Sequence, residues 1–385
     1  MSASRPRREV ILWGIGHTNI HVLRAWRENP VPGARLTCVS TDPRAAYSGM
    51  LPGVLAGLYP RERMEIDLPG LSESSGARLV VGEVQGVDRA GRRLLLAGGS
   101  PLPFDALAIG IGSEPARSGV VGADEALAIK PMPSFLDRLD GRLRPLGEHP
   151  GGRPLRVTVV GGGAGGSEVA LCLPAYVRAT LGDRPLALTL VDARDRPGGL
   201  LPGTARRLRR IFEARGARLV LGRRVVRIGG GEVEADDGSS WAADLVIWAT
   251  GARGPAILET LGLPTDDRGF LRTRPTLQTL GDDRIFAVGD CGTIEGTATP
   301  KAGVHAVREG PVLWRNLVGL LDGRPPVPYN PQAGFLKLLN TGDGRAIGEF
   351  AGLSFEGRWC WLLKDFIDRR FVARYQQTPP PSADA

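Results

Sequence analysis

The stretch Arg156-Val-Thr-Val-Val-Gly161-Gly-Gly163-Ala-Gly-Gly166-Ser-Glu168 decides the fold. Its β-branched run reads as a buried strand, its glycines as a tight turn, and the residues from Val169 to Val177 as a helix that leads into a second strand ending at Asp192. Together they make one β-α-β unit of about thirty residues. A helix start carries unsatisfied N–H groups and partial positive charge, and glycines let a pyrophosphate come close to both. Gly161, Gly163 and Gly166 have the spacing this approach requires, and Asp192 is placed to accept from a ribose hydroxyl. The stretch predicts a dinucleotide site.

A related pattern opens the chain: Glu9-Val-Ile-Leu-Trp-Gly14-Ile-Gly16-His-Thr-Asn19, a helical stretch, then a strand over residues 36 to 40. Asn19 stands where a third glycine is expected, and its side chain predicts a helix held slightly farther from the strand. This second strand ends at Ser40 rather than at an acid, which leaves Thr41 or Asp42 to meet a ribose. A third element, Arg284-Ile-Phe-Ala-Val-Gly289-Asp290-Cys291, is a short strand ending in Gly-Asp, with helical periodicity over residues 300 to 310. Its carboxylate suits a sugar-alcohol hydroxyl. Strand-rich stretches follow each glycine unit in the same order, which points to duplicated architecture. Residues 139 to 153 read as an approach to the second lobe, 323 to 331 as a proline-stiffened linker, and 376 to 385 as a disordered tail.

The 385 residues suffice for two or three domains, and 42% hydrophobic with 23% charged content is that of a globular protein. The net charge of +8 rests on arginine and admits anionic partners without identifying one. The arginines are dispersed without an aromatic-basic motif, so no nucleic-acid role is expected. Cys38, Cys172, Cys291 and Cys360 are too far apart for a CxxC pair, so no metal site is expected and a reducing compartment fits. The chain opens without a signal segment, and no window is apolar enough to span a bilayer. A cytoplasmic location is expected, extending to peripheral attachment at the inner face of the cell membrane.

Gly14-x-Gly16, Gly161-x-Gly163-x-x-Gly166-x-Glu168, Trp248-Ala-Thr-Gly251 and Ile285-Phe-Ala-Val-Gly-Asp290 come in the order found in the FAD and NAD(P)H oxidoreductases of the pyridine nucleotide-disulfide class. The chain resembles that class over about residues 8 to 320. Residues 46 to 57, Lys130-Pro131 and the ending Lys364-Asp-Phe-Ile-Asp-Arg-Arg-Phe371 resemble its type II NADH dehydrogenase branch, and within it the flavin oxidoreductases sometimes fused to selenide, water dikinase. The resemblance implies an α/β fold with two Rossmann-like dinucleotide-binding domains and a small C-terminal unit. Residues 1–127 and 268–325 would form the FAD domain, 128–267 the NAD(P)H domain, and 326–385 the C-terminal unit with an amphipathic helix.

The same resemblance implies FAD at Gly14, Gly16, Asn19, Ser40 and Asp42, with its ribitol near Gly289 and Asp290. Its ring would lie near Tyr47 to Pro52 and the helix beginning around Lys301, and Gly112 would be a further cofactor contact, in a loop where Ile109-Gly-Ile-Gly112 replaces the usual threonine. NAD(P)H would take Gly161, Gly163, Gly166, Asp192 and Gly251. Asp192 favours NADH by repelling a 2′-phosphate, while Arg194 and Arg196 leave NADPH tolerable. Glu168 would be the catalytic residue, a carboxylate passing a proton in the cleft; it reads equally as a helix-start acid complementing the dipole.

The reduced flavin needs an acceptor. Disulfide reductases carry two nearby cysteines after the first turn, and residues 38 to 60 hold only Cys38, which excludes that class. A quinone leads as acceptor, and a distant Cys172–Cys360 pair, as in sulfide:quinone reductases, is an alternative. Trp359, Leu362, Leu363, Phe366, Ile367 and Phe371 recur at helical spacing with Lys364, Arg369, Arg370 and Arg374 interleaved. This stretch, within residues 358–375, suits a bilayer surface, or packing on the protein or on a second copy in a homodimer. The expected function is hydride transfer from NADH to FAD and on to a quinone. The alternative from another class is a flavin-binding redox sensor or assembly partner that turns over slowly.

Overall fold

Each glycine turn sits at the C-terminal end of a strand that has parallel neighbours on both sides. In the computed structural model, which describes residues 8–117, 119–147, 153–297 and 299–376, the strand Arg8–Trp13 pairs in parallel with Ala34–Ser40 on one side and Ala106–Ile109 on the other. Arg78–Val81 and Asp282–Ala287 extend this sheet in parallel, and Gln278–Thr279, Leu271–Thr273 and Gly292–Ile294 complete its eight strands. The second sheet has five parallel strands in the order Leu127–Ala128, Leu245–Trp248, Leu155–Val160, Leu186–Asp192 and Arg218–Leu221. In both sheets the strand before the turn has neighbours reached in opposite directions. That switch point is where open α/β sheets bind ligands. The expected α/β fold with two Rossmann-like lobes is what the chain adopts.

Near-continuous apolar runs build these strands because both faces of each sheet are covered, one by helices and the other by a small antiparallel sheet. Val10, Ile11, Leu12 and Trp13 are all buried, as are Val157, Thr158, Val159 and Val160. The helix Asn19–Glu28 buries Ile20, Val22, Leu23 and Trp26 and leaves Arg27 and Glu28 to solvent. The second helix, Ala164–Leu181, is apolar on more of its surface, since it packs on its sheet, on the short helix Leu51–Leu55 and on the strand Lys337–Asn340. A small antiparallel sheet follows each parallel one, Val84–Asp88 with Arg93–Leu96 and Leu102–Pro103, then Val225–Gly229 with Glu232–Ala235 and Ser240–Ala242. The two crossings between lobes, Glu114–Pro115 and Ala252–Arg253, pair with each other.

The region read as an approach to the second lobe holds a helix, Phe135–Gly147, whose Phe135, Leu136, Leu139 and Leu143 are buried; Pro145 and the glycines had masked its period. Residues 148–152 and 377–385 lie outside the described residues, and with the latter most of the expected disordered tail. The C-terminal unit is the antiparallel sheet Lys337–Asn340, Ala346–Phe350 and Leu353–Gly357, followed by the helix Arg358–Val372. No helix among the described residues is long and apolar enough to cross a membrane.

Candidate functional site

Gly161, at φ +108°, lies so close to the next strand's end that a Cβ would fall 2.4 Å from the Ala249 carbonyl oxygen. A Cβ on Gly166 would stand 1.8 Å from the Gly161 oxygen, so the helix rests on the turn through a bare α-carbon. Gly163 and Gly165 face open space. The first turn repeats this with one change. Gly14, at φ +80°, faces Gly110 O and Ile111 at 2.8 Å from its notional Cβ. At the third position Asn19 is buried, and its Nδ2 donates to Gly14 O at 2.7 Å and Ala108 O at 3.2 Å. Its amide thus fastens helix, turn and neighbouring strand together, a role the sequence does not suggest. Gly110 makes room for it, since a Cβ there would fall 2.6 Å from Asn19 Nδ2.

Both helices begin without a side-chain cap and without an acid in the first turn. Thr18, at the first cap, donates its hydroxyl instead to Ala306 O at 2.7 Å. Uncapped helix starts beside tight glycine turns suit phosphate groups supplied from outside. Thr299 Oγ1 and His305 Nε2, buried and without a partner among the described residues, line a cleft beside Asp290. These features fit two dinucleotides, one at each turn.

Asp290 Oδ2 accepts from Ser113 Oγ at 2.7 Å and Lys130 Nζ at 2.9 Å. Burial alone would raise its carboxyl, but Lys130, Ser113 and Lys301 hold it below the ordinary range, so it faces the cleft as an anion. Gly289, at φ +63°, donates its N–H to Glu309 Oε2 at 2.5 Å, and burial raises the Glu309 carboxyl to about 8. Lys301 donates to Gly292 O and Thr293 Oγ1 and lies 4.1 Å from the Phe270 ring centroid, bracing the loop after Gly-Asp. Gly112, at φ +80°, and Gly251 face open space at corresponding strand ends.

The two acids at the second-strand ends differ. Ser40 Oγ donates to Asp42 O, and Asp42 Oδ1 accepts from Arg44 N, so both close a local turn. Asp192 is 4% exposed and accepts from Gly162 N at 2.9 Å, Arg194 N at 2.9 Å and Gly198 N at 3.3 Å. The Arg194 guanidinium lies over Gly198, next to Asp192.

Where the lobes and the C-terminal helix meet, ionisable groups form a buried chain. Glu168 Oε1 accepts the Asn340 N–H at 2.8 Å and lies 3.9 Å from Lys364 Nζ. Lys364, 7% exposed, also contacts Asp368 Oδ2 at 3.0 Å and donates to Gly49 O at 2.9 Å. Asp368 Oδ1 accepts from the Tyr47 hydroxyl at 3.1 Å, and Tyr47 stacks on Phe371 at 4.5 Å and tilts against His17 at 5.3 Å. Burial pushes the Glu168 carboxyl up to about 7, against the pull of Lys364 and the Asn340 N–H. Burial opposes charge on Lys364, yet Glu168 and Asp368 hold its ammonium above the usual lysine range. Burial lowers His17 to about 4, so its imidazole is neutral. Pro52 starts the short helix that packs on the Glu168 helix.

Of the residues singled out from sequence, the structure thus gathers Gly14, Gly16, Asn19, Gly112, Gly289, Asp290 and Lys301 around one turn. It gathers Gly161, Gly163, Gly166, Asp192 and Gly251 around the other, with Tyr47, Pro52 and Glu168 where the two sides meet. Sequence reading missed Lys130, His17 and the inward role of Lys364. Lys130 carried only its place in a family motif, and Lys364 looked like a surface charge on an amphipathic helix.

All four cysteines are free and buried. Burial raises the thiols of Cys38 to about 12 and Cys291 to about 11, and that of Cys172 well above its ordinary value.

A family described as pyridine nucleotide-disulphide oxidoreductase matches residues 9–310. The chain is 28% identical over 318 residues to ferroptosis suppressor protein 1 of Mus musculus, covering 78% of this chain and 79% of that one. It is 27% identical over 298 residues to a type II NADH:quinone oxidoreductase of Haemophilus influenzae, covering 67% and 66%. Its fold is similar to that of the sulfide:quinone oxidoreductase of Aquifex aeolicus, with a TM-score of 0.78, 19% identity and coverage of 96% and 91%.

Proposed function

The chain belongs to the pyridine nucleotide-disulphide oxidoreductase family, and from that premise we infer that it is an FAD-dependent enzyme that takes a hydride from NAD(P)H and delivers two electrons to a quinone. FAD, when bound, supplies the chemistry that accepts a hydride and yields electrons to the acceptor. In this reading the first turn and Asp290 hold FAD, and the second turn holds the nicotinamide nucleotide. NADH is the favoured donor because a 2′-phosphate would meet the Asp192 carboxylate, while Arg194 beside it keeps NADPH admissible.

The observation that carries the acceptor assignment is the buried chain Tyr47–Asp368–Lys364–Glu168. Quinone reduction consumes two protons as well as two electrons. A buried carboxyl that titrates near pH 7 is matched to hold and release one of them. Lys364 keeps the charged form within reach, and the Asn340 N–H fixes the carboxyl's direction. Dithiol acceptors are disfavoured because the cysteines are unpaired and their thiols protonated. The test is NADH oxidation by the flavin-loaded protein with a short-chain, water-soluble quinone. Turnover well above that with oxygen alone is expected; equal rates would contradict the reading.

Quinones partition into lipid, and the C-terminal helix offers a surface for it. The helix turns Lys364 and Asp368 inward and exposes Trp359 (54%), Leu362 (55%) and Phe366 (60%). Burying each such side chain is worth about 1.5–3 kcal/mol, against about 1 kcal/mol per basic residue near anionic lipid. We assign this face to a membrane surface. Vesicle flotation checks it: Phe366→Asp should abolish binding while leaving turnover with soluble quinone unchanged. A dimer held together through this face in solution would refute it.

A further inference from the structure

A groove of about 580 Å³ lies between the helix Pro202–Ala214 and the tip of the C-terminal hairpin. Arg206, Arg207 and Arg210 line one wall, and Gly352, Leu353 and Ser354 the other. The two walls are fastened by Thr204 Oγ1 donating to Ser354 Oγ at 2.9 Å and Arg207 donating to Ser354 O at 3.3 Å. The charge in the groove is unbalanced. Among the described residues, the ion pairs of these arginines go to Glu356, which is shared by Arg207 at 3.2 Å, by Arg210, and by Arg345 at 4.0 Å. Arg206 is exposed at the mouth. The rim is apolar: Leu353 is 69% and Phe350 51% exposed. Phe355, two residues beyond Leu353 and on the same face of the hairpin, stacks on Trp359 at 5.1 Å, which joins the apolar rim to the exposed face of the C-terminal helix.

We propose that this groove seats the phosphodiester headgroup of an anionic phospholipid, with Leu353 and Phe350 entering the acyl region beside it. The proposal rests on the membrane assignment above and deepens it. Trp359, Leu362 and Phe366 supply attachment to any bilayer, whereas the arginine groove supplies preference for anionic lipid. Guanidinium groups suit this task because their planar fork matches phosphate oxygens and is weakly hydrated, so it gives up water readily at an interface.

Flotation of the full-length, flavin-loaded protein separates the two contributions. Vesicles of phosphatidylcholine alone are compared with vesicles containing phosphatidylglycerol. The wild type should partition about tenfold or more strongly onto the phosphatidylglycerol vesicles, and Arg206→Glu should lower that binding by about fivefold or more. The same variant should bind phosphatidylcholine and reduce soluble quinone as the wild type does. Arg178→Glu, an equal charge change on an exposed residue of another helix, controls for bulk electrostatics. An equal loss in that control, or a wild type indifferent to lipid charge, overturns the headgroup site and leaves the membrane assignment standing. No flotation with either vesicle overturns both. Stabilisation by inorganic phosphate that requires Arg206, without any lipid preference, assigns the groove to a free anion and also overturns the proposal. Flavin content and thermal melting of Arg206→Glu, a change at an exposed position, confirm that the variant is folded.

Discussion

Replacing Glu168 with Gln isolates the proton from everything else the side chain does. The amide is nearly the same size, and its oxygen still accepts the Asn340 N–H that the carboxylate accepts at 2.8 Å. Lys364 keeps Asp368 and Gly49 O as partners. What is lost is a group raised from 4.5 to about 7. If Glu168 passes a proton to the acceptor, general acid–base catalysis sets the expected loss at about 10²-fold or more in kcat with quinone. Stopped-flow measurement of the two half-reactions locates the defect. Flavin reduction by NADH should change by less than about twofold, while reoxidation by quinone carries the loss, because hydride transfer moves no proton through Glu168. The wild-type rate of reoxidation should show an inflection near pH 7 that is absent in the variant. Stability gives an independent readout. The folded carboxyl binds its proton more tightly than the unfolded one, so its contribution is fully present below about pH 4.5 and lost as pH rises through about 7. At 1.36 kcal/mol per unit the shift corresponds to roughly 3 kcal/mol, and Glu168→Gln should flatten that part of the stability profile. A variant with unchanged reoxidation and a surviving inflection would refute the assignment.

Lys364→Met removes the cation shared by Glu168 and Asp368; the inflection should move above pH 7, and stability at pH 8 should fall by about 3–5 kcal/mol in denaturant melts. Gly166→Ala forces a methyl onto the Gly161 carbonyl, so the KM for NADH should rise by about tenfold or more while flavin content is retained. Lys130→Ala frees Asp290 from the cation that depresses its carboxyl. FAD should then bind roughly tenfold more weakly, and the pH at which it is released on acidification should move upward, both followed by flavin fluorescence.

The two glycine turns were legible because their requirements are local. A strand that must turn within two residues needs positive φ at Gly14 and Gly161, and a helix that must rest on the turn needs the bare α-carbon of Gly166. The role of Asn19 was not legible, since it depends on Gly110, an adjacent strand's residue far away in sequence that leaves space for the amide. Lys130 was invisible as a site residue for the same reason: its partner Asp290 lies 160 positions away. The helical period of residues 358–372 was legible, but periodicity alone does not say which side faces inward. Here the side bearing Lys364 and Asp368 packs on the body because Glu168, Tyr47 and Gly49 O wait there as partners, and Trp359, Leu362 and Phe366 are left outside. Reading such a helix from its hydrophobic positions alone inverts it.

The unequal construction of the two turns bears on residence time. At the first, Asn19 stitches two strands to the helix and Thr18 ties the helix to Ala306, so a molecule seated there is enclosed by parts of the chain nearly three hundred positions apart. At the second, Ser167 Oγ donates to Gly162 O at 3.1 Å and Asp192 accepts from Gly162 N at 2.9 Å, so the ties there span no more than 30 positions of chain. A permanent tenant and a visitor that comes and goes with every catalytic cycle would ask for just such different lodgings.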